Sequence, residues 1–205
     1  NIKDNIVFKT LYELSEKKNR LTINDLGYFI GPIINSAGRL SNSKIALELL
    51  ISDNYSVVKN KSLQLIKLNN KRKDIENKIL NEISFNKIAK ENKDVIIYYS
   101  SDINEGLIGI IASRLKEYFN KPVIVITTSN NILKASARSN QYYNIGYVVK
   151  SLIDNNIIDN GCGHSMAAGF TMKKDKLIKL KDFIFKDYLS KNNNSTILFK
   201  YNSEI

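Results

Sequence analysis

Apolar positions follow two different patterns along the chain. Up to about residue 90 they recur at helical steps. After residue 92, short continuous apolar runs alternate with helical stretches. From Ile2 to Glu16, residues Ile6, Val7, Leu11 and Leu14 predict a helix that ends in the polar run Glu16-Lys17-Lys18-Asn19-Arg20. Thr22, with Asp25 three residues on, predicts the capped start of a short helix near Ile23, and Gly31-Pro32 predicts its end. Ile33 to Leu40 reads as a small-residue loop. Ser43 is positioned to cap a helix from Lys44 to Ser52, with Ile45, Leu49 and Leu50 on its apolar face. The longest helical stretch runs from Tyr55 to Lys90 without Gly or Pro. Val58, Leu65, Ile66, Leu68, Ile75, Ile79, Ile83 and Ile88 form one narrow apolar stripe among Lys67, Lys71, Arg72, Lys73, Asp74 and Glu76. Such a helix reads as a connector between domains.

Beyond it, Val95 to Tyr99, Val123 to Ile126, Ile132 to Ala137 and Phe170 to Met172 have strand length. Helical patterns fill Glu105 to Phe119, Asn144 to Ile153 and Asp175 to Leu189, so strands alternate with helices and the fold class is α/β. Asn192 to Ser195 reads as a turn or linker, and Thr196 to Tyr201 as the start of another strand. The expected organisation is a helical, incomplete part over 1–54, a connector helix over 55–90, an α/β domain over 91–191, and a linker or the start of a following domain over 192–205.

Composition narrows the function classes. The 205 residues are 43% hydrophobic and 25% charged, which excludes a disordered chain. No apolar run approaches the roughly 18 residues of a membrane span, so no membrane role is expected. Asn1-Ile2-Lys3-Asp4-Asn5 carries no initiator Met and no signal layout, and reads as a chain entered in the middle. The lone Cys162 excludes an intramolecular disulfide, and the lone His164 excludes a histidine-built metal centre. Lys and Arg number 31 against 20 Asp and Glu, a net charge of +11. That balance points to a polyanion, nucleic acid or an anionic surface, and is equally what lysine-rich solvated faces produce.

Four stretches could carry chemistry. Gly161-Cys162-Gly163-His164-Ser165-Met166-Ala167-Ala168-Gly169 reads as a glycine loop leading into a short helix. Its free N–H groups suit a phosphate, with His164 as hydrogen-bond donor or proton carrier; a tight turn with a satisfied histidine fits the pattern too. Lys134-Ala135-Ser136-Ala137-Arg138-Ser139 is a small-residue strand ending in an Arg between hydroxyls. A ligand could lie on it while the guanidinium grips a phosphate, though a surface Arg at a strand end has the same pattern. Asn35 and Arg39 sit among small residues in Gly31 to Leu40, a similar arrangement. Gly106 and Gly109 form a small-residue ridge that lets a helix lie close on a sheet, and their spacing is wrong for a dinucleotide fingerprint. No nucleophile–base pair and no carboxylate cluster with ligand spacing is present.

Taken in order, these stretches resemble RecJ-type single-stranded-DNA exonucleases. Gly31 to Leu40 is similar to "GPRINAAGRL", and Leu68-Asn69-Asn70-Lys71-Arg72-Lys73 with Glu76 to "LN..R...E". Glu105 to Leu115 resembles "GVVGIVASRL", Lys121 to Val125 the "RPVI" strand, and Lys134 to Ser139 "KGSGRS". Gly161 to Gly169 resembles "GGHAMAAG", the hallmark of the DHH-associated domain. The motifs are collinear from near residue 1 to about 172. Among the departures, Ile33 replaces the usual Arg, Cys162 a Gly, Ser165 an Ala, and Ile103-Asn104 the usual "WH".

The resemblance implies a helical remnant of a DHH domain, a connector helix and a small mixed-sheet α/β DHH-associated domain. It implies a parent enzyme that degrades single-stranded DNA 5′→3′ with Mn²⁺ or Mg²⁺ held by DHH motifs absent from this sequence, so no metal and no cleavage are expected of this chain alone. Asn35, Arg39, Ser136, Arg138, Ser139, Gly161, Gly163 and His164 would contact DNA or its phosphates, with His164 positioning a phosphate. A bacterial-type cytoplasmic, nucleoid-associated setting with repair or recombination proteins as partners also follows from the resemblance alone. The alternative is a DHH-family phosphodiesterase of short oligonucleotides or cyclic dinucleotides.

Overall fold

The computed structural model describes residues 5–16, 22–91 and 94–201. The polar run at 17–20, and residues 92–93 where the pattern changes, lie outside them. The chain divides into two compact units, Asn1–Leu80 and Asn81–Ile205.

The first unit is helical. Helix α1 (Ile6–Leu14) starts at Asn5, whose side-chain oxygen accepts the N–H groups of Val7 and Phe8. The expected cap at Thr22 is present: the Asp25 carboxylate accepts the Thr22 N–H at 2.9 Å and its hydroxyl at 2.7 Å. Gly31-Pro32 does not stop this helix, and Ile33 to Leu40 is not a loop. The short α2 (Ile23–Asp25) runs through a π-helical stretch, Leu26–Ile30, into α3 (Gly31–Leu40). Gly31 donates to the Leu26 carbonyl, and a side chain there would put Cβ 2.9 Å from that oxygen. Pro32 follows directly on the π-helical stretch, in the first turn of α3. Helix α4 (Lys44–Ile51) is capped by Asn42, whose side chain accepts the Lys44 N–H at 2.8 Å, and not by the Ser43 side chain.

The long helix is interrupted. Helix α5 (Tyr55–Glu82) ends before Ile83-Ser84, and α6 (Phe85–Glu91) restarts with the Ser84 carbonyl accepting from Ile88. Val58 and Leu65 of α5 are buried with Val7, Leu11, Ile30, Ile33, Ala37 and Leu49 in one core, so the stripe is core-forming over its N-terminal half.

The second unit is a five-stranded sheet ordered β1-β2-β3-β5-β4, with β1 (Ile96–Tyr99), β2 (Val123–Ser129), β3 (Ile132–Arg138), β4 (Asn160–His164) and β5 (Ala167–Met172). β1 and β2 are parallel and every other pairing is antiparallel. One sheet face buries Ile124, Ile126, Leu133, Ala135, Ala137, Ala168, Phe170 and Met172. They pack with Val148, Val149 and Leu152 of α8 (Ile145–Asp154) and Leu180 and Ile184 of α9 (Leu177–Tyr201). Helix α7 (Ile108–Phe119) packs on β2 and β3. The turn and strand expected over 192–201 are instead a continuation of α9. Nothing in Leu177–Tyr201 breaks a helix: it contains neither Gly nor Pro, and its asparagines only lower propensity.

Candidate nucleic-acid interface

The alternation along β3 sets the site. Leu133, Ala135 and Ala137 point into the core, leaving Lys134, Ser136 and Arg138 on the opposite face. In β5, Ala168, Phe170 and Met172 are core, and Ala167, Gly169 and Thr171 face the other way. Register extends the pattern across the sheet. Arg138 pairs with Ala167 and Ala167 with His164; Ser136 pairs with Gly169 and Gly169 with Cys162; Lys134 pairs with Thr171 and Thr171 with Asn160. Residues directly opposite in antiparallel strands share a face. The outer face of β3-β5-β4 is therefore a floor of Ala167, Gly169 and Thr171 with polar groups on both sides. Arg138 and His164 stand two strand spacings apart across it, roughly 10 Å.

Helix α7 walls this floor on the β3 side. A Cβ at Gly109 would lie 3.2 Å from Arg138 Nη2 and 3.3 Å from Ser136 Oγ, so the small-residue ridge does bring the helix close on the sheet. Arg138 is half-buried. Its Nη1 donates to Ser136 Oγ at 3.1 Å and to the Ala137 carbonyl at 2.8 Å, which orients the guanidinium. At the far end Lys134 pairs with Glu105 at 2.6 Å. Hydrogen bonds from Lys134 and Ser129 hold the Glu105 carboxyl below the usual carboxylate range. A depression of about 510 Å³, bordered by Ile108, Lys134, Cys162, Gly169 and Thr171, opens on this face.

Gly161 to Gly169 is not a loop running into a helix. It is the hairpin of β4 and β5, turning at Ser165-Met166. No described glycine has positive φ. The hairpin needs glycine for closeness. A Cβ at Gly161 would come within 2.8 Å of Val149 Cγ1 and 2.9 Å of Phe170 Cβ, and one at Gly163 would fall on Ala168. His164 is exposed at the end of β4. Ser139 is buried and its hydroxyl donates to the Tyr143 carbonyl at 2.6 Å, while its N–H holds Met166 of the turn. The structure thus turns Gly161 and Gly163 toward the core face opposite Phe170 and Ala168, keeps the Ser139 side chain away from the site, and brings Ser136, Arg138 and His164 to one face. Lys134 and Cys162 share that face and sequence reasoning did not select them; strict alternation from Arg138 and His164 was the available signal.

In the first unit, Asn35 and Arg39 lie one turn apart on α3, Asn35 exposed and Arg39 half-buried. Burial and the like charge of Arg72 lower the Arg39 pKa, and Glu76 opposes them. Arg72 is itself buried, donating to Glu76 at 2.6 Å and to Asn69 at 3.0 Å. Two of the residues departing from the family motifs have structural posts: Ile33 is core, and Asn104 accepts the Gly106 N–H at 2.8 Å ahead of α7.

Among the described residues no three His, Cys, Asp or Glu side chains converge to hold a metal ion. These residues do not fit a metal site, and no step of hydrolysis is assigned to them. No helix among them is long and apolar enough to cross a membrane.

Known proteins are similar to this chain over most of its length. The DHHA1 domain model matches residues 92–191. The single-stranded-DNA-specific exonuclease RecJ of Haemophilus influenzae is 36% identical over 174 residues, covering 79% of this chain and 30% of that protein. The RecJ of Escherichia coli K12 is 31% identical over 178 residues, covering 82% of this chain and 31% of that protein. Among solved structures, Thermus thermophilus RecJ in complex with Mn²⁺ has the same fold, with a TM-score of 0.77 at 24% identity over 90% of this chain and 27% of that one. An exonuclease RecJ bound to manganese aligns with a TM-score of 0.71 at 25% identity over 87% of this chain and 44% of that one. The chain spans about 30% of the length of the curated relatives it matches. Residues 92–191 are a DHHA1 domain, and the chain belongs to the RecJ-type branch of the DHH family.

Proposed function

We propose that this chain is the substrate-gripping C-terminal part of a RecJ-like enzyme that degrades single-stranded DNA 5′→3′ in repair and recombination, in a bacterial-type cytoplasm. In this reading residues 1–54 end a DHH domain, 55–90 connect, and 91–191 hold DNA. A Mn²⁺ or Mg²⁺ site belongs to other residues of a longer protein, and the chain alone does not cleave. Repair and recombination proteins are its expected partners.

The observation that carries the reading is the placement of Arg138 and His164 on either side of the Ala167–Gly169 floor. Small side chains let a sugar–phosphate backbone approach the sheet. The oriented guanidinium offers a fixed positive charge, and the imidazole gives a second contact one nucleotide-scale step away. Asn35 and Arg39 are read as DNA contacts of the first unit in their own right. The net charge of +11 supplies the long-range attraction.

Titration of a labelled single strand with the 205-residue chain tests this. Arg138→Ala and His164→Ala should each weaken binding for every base sequence. Arg138→Ala should also lower the salt slope by about 0.7 for every phosphate the variant no longer neutralises. Unchanged affinity in both variants sinks the proposal.

A further inference from the structure

Helix α8 carries an aromatic side chain that the fold does not use. Its buried face is Ile145, Val148, Val149 and Leu152, whereas Tyr147 stands 69% exposed with Lys150 one turn on along the same side. Both border a depression of about 440 Å³ between α8 and the free edge of β4. The other wall is backbone. Gly146 lets the first turn of α8 close on β4, since a Cβ there would sit 3.0 Å from the carbonyl carbon and oxygen of His164. Gly163, His164 and Ser165 complete the rim. The hollow is thus flanked by one aromatic ring and one cation, and lined elsewhere by Asn144, Val149, Ile153, Cys162 and the glycines of β4.

His164 belongs to two places at once. Its side chain stands in the Arg138–Ala167–His164 row on the outer face, and its main chain, at the sheet edge, forms the lip of this hollow. β4 is the edge strand, so a strand held between Arg138 and His164 that passes over this edge brings its next nucleotide to the hollow on the α8 side. We infer that the depression between α8 and β4 is a nucleobase subsite, in which a base stacks on Tyr147 while its phosphate meets Lys150. This rests on the DNA-gripping reading above and extends it from backbone to base. Stacking on an aromatic side chain accepts any base, because each has a π-face, so the subsite adds affinity without sequence preference. The same chemistry would accept a free mononucleotide, and the test separates the two sources.

The chain contains no tryptophan, so Tyr147→Trp installs a single indole reporter at the subsite. The ligands are a short oligothymidylate, an abasic strand of equal length, and dTMP. Stacking should quench the indole with oligothymidylate and leave it bright with the abasic strand. In parallel, Tyr147→Ala should lose about tenfold in affinity for oligothymidylate and nothing for the abasic strand, with Tyr147→Phe restoring the loss. Quenching by dTMP at matching nucleotide concentration assigns the subsite to free nucleotides, and quenching by the strand alone assigns it to DNA; both support a base site. Equal quenching by the abasic strand, no quenching by any ligand, or unchanged affinity in Tyr147→Ala overturns it. The Arg138→Ala chain keeps the two readings apart. If it binds every strand normally, the backbone grip fails, whereas base-dependent quenching at residue 147 still stands or falls by itself.

Discussion

Arg138 and His164 lie on strands that do not touch, yet each pairs with the same residue, Ala167. The smallness of Ala167 is therefore what leaves open space between a guanidinium and an imidazole. Filling it should abolish the grip without removing a charge. Ala167→Phe is expected to weaken single-strand binding by about 1.5–3 kcal/mol, roughly ten- to a hundredfold, as much as removing a hydrogen bond to a charged group. Fluorescence anisotropy reads the affinity. The Ala167 side chain points away from the core cluster, so the melting temperature should stay put; binding at the wild-type level would show that no ligand crosses that row.

The glycines of the same hairpin separate packing from binding. Gly163→Ala places a methyl on Ala168, an overpacking that should cost about 1–3 kcal/mol in urea denaturation. Gly169 is different: its added Cβ would meet only the Ala135 carbonyl at an ordinary 3.6 Å. Gly169→Ala should fold normally and weaken DNA binding by raising the floor. Equal stability of the two variants would contradict the geometry.

Strands β1, β2 and β3 were legible because their apolar runs are bounded by Pro122 and Asn130-Asn131, which do take positive φ at the turn, whereas β4 carries no apolar run and was read as a loop. Ser136 and Arg138 were legible as an Arg and a hydroxyl among small residues, while strict alternation, the signal that also brings Lys134 to their face, went unused. What local pattern could not show was cooperation across distance. Gly31-Pro32 reads as a stop until the π-helical turn at Leu26–Ile30 absorbs it. Gly161 and Gly163 read as a phosphate loop because glycine signals freedom of φ, whereas here the demand comes from Val149, Phe170 and Ala168, which arrive from other elements. Tyr147 gave no signal, since an exposed aromatic looks like any other helical position until β4 is beside it.

In the first unit, a single carboxylate serves buried Arg72 while also facing the half-buried Arg39. Glu76→Ala leaves the Arg72 charge buried and uncompensated, with a second cation nearby, and should cost about 3–5 kcal/mol. The paired replacement Arg72→Met with Glu76→Leu removes both charges and should recover most of that loss. Chemical denaturation of the two variants side by side checks this. A single variant no less stable than the double would mean the pair is not buried as described.

Tyr143 ties α9 to the sheet. Its ring is buried, and its hydroxyl donates to Asp187 at 2.8 Å, the same carboxylate that accepts Lys191 at 2.8 Å. Burial first, then the hydrogen bond and charge of Asp187, push the Tyr143 pKa far above its ordinary value. In the unfolded chain a tyrosine loses its proton near pH 10, so above that pH the native state binds a proton that the unfolded state has released. Stability from this group is complete below about pH 10 and falls by about 1.4 kcal/mol per pH unit above it. Tyr143→Phe should lower stability at pH 8, by the loss of one hydrogen bond to a charged acceptor, about 1.5–3 kcal/mol. It should also flatten the decline between pH 10 and 11 relative to the unaltered chain. Urea midpoints followed by circular dichroism give both quantities, and parallel alkaline slopes in the two chains would show that Tyr143 ionises as readily folded as unfolded.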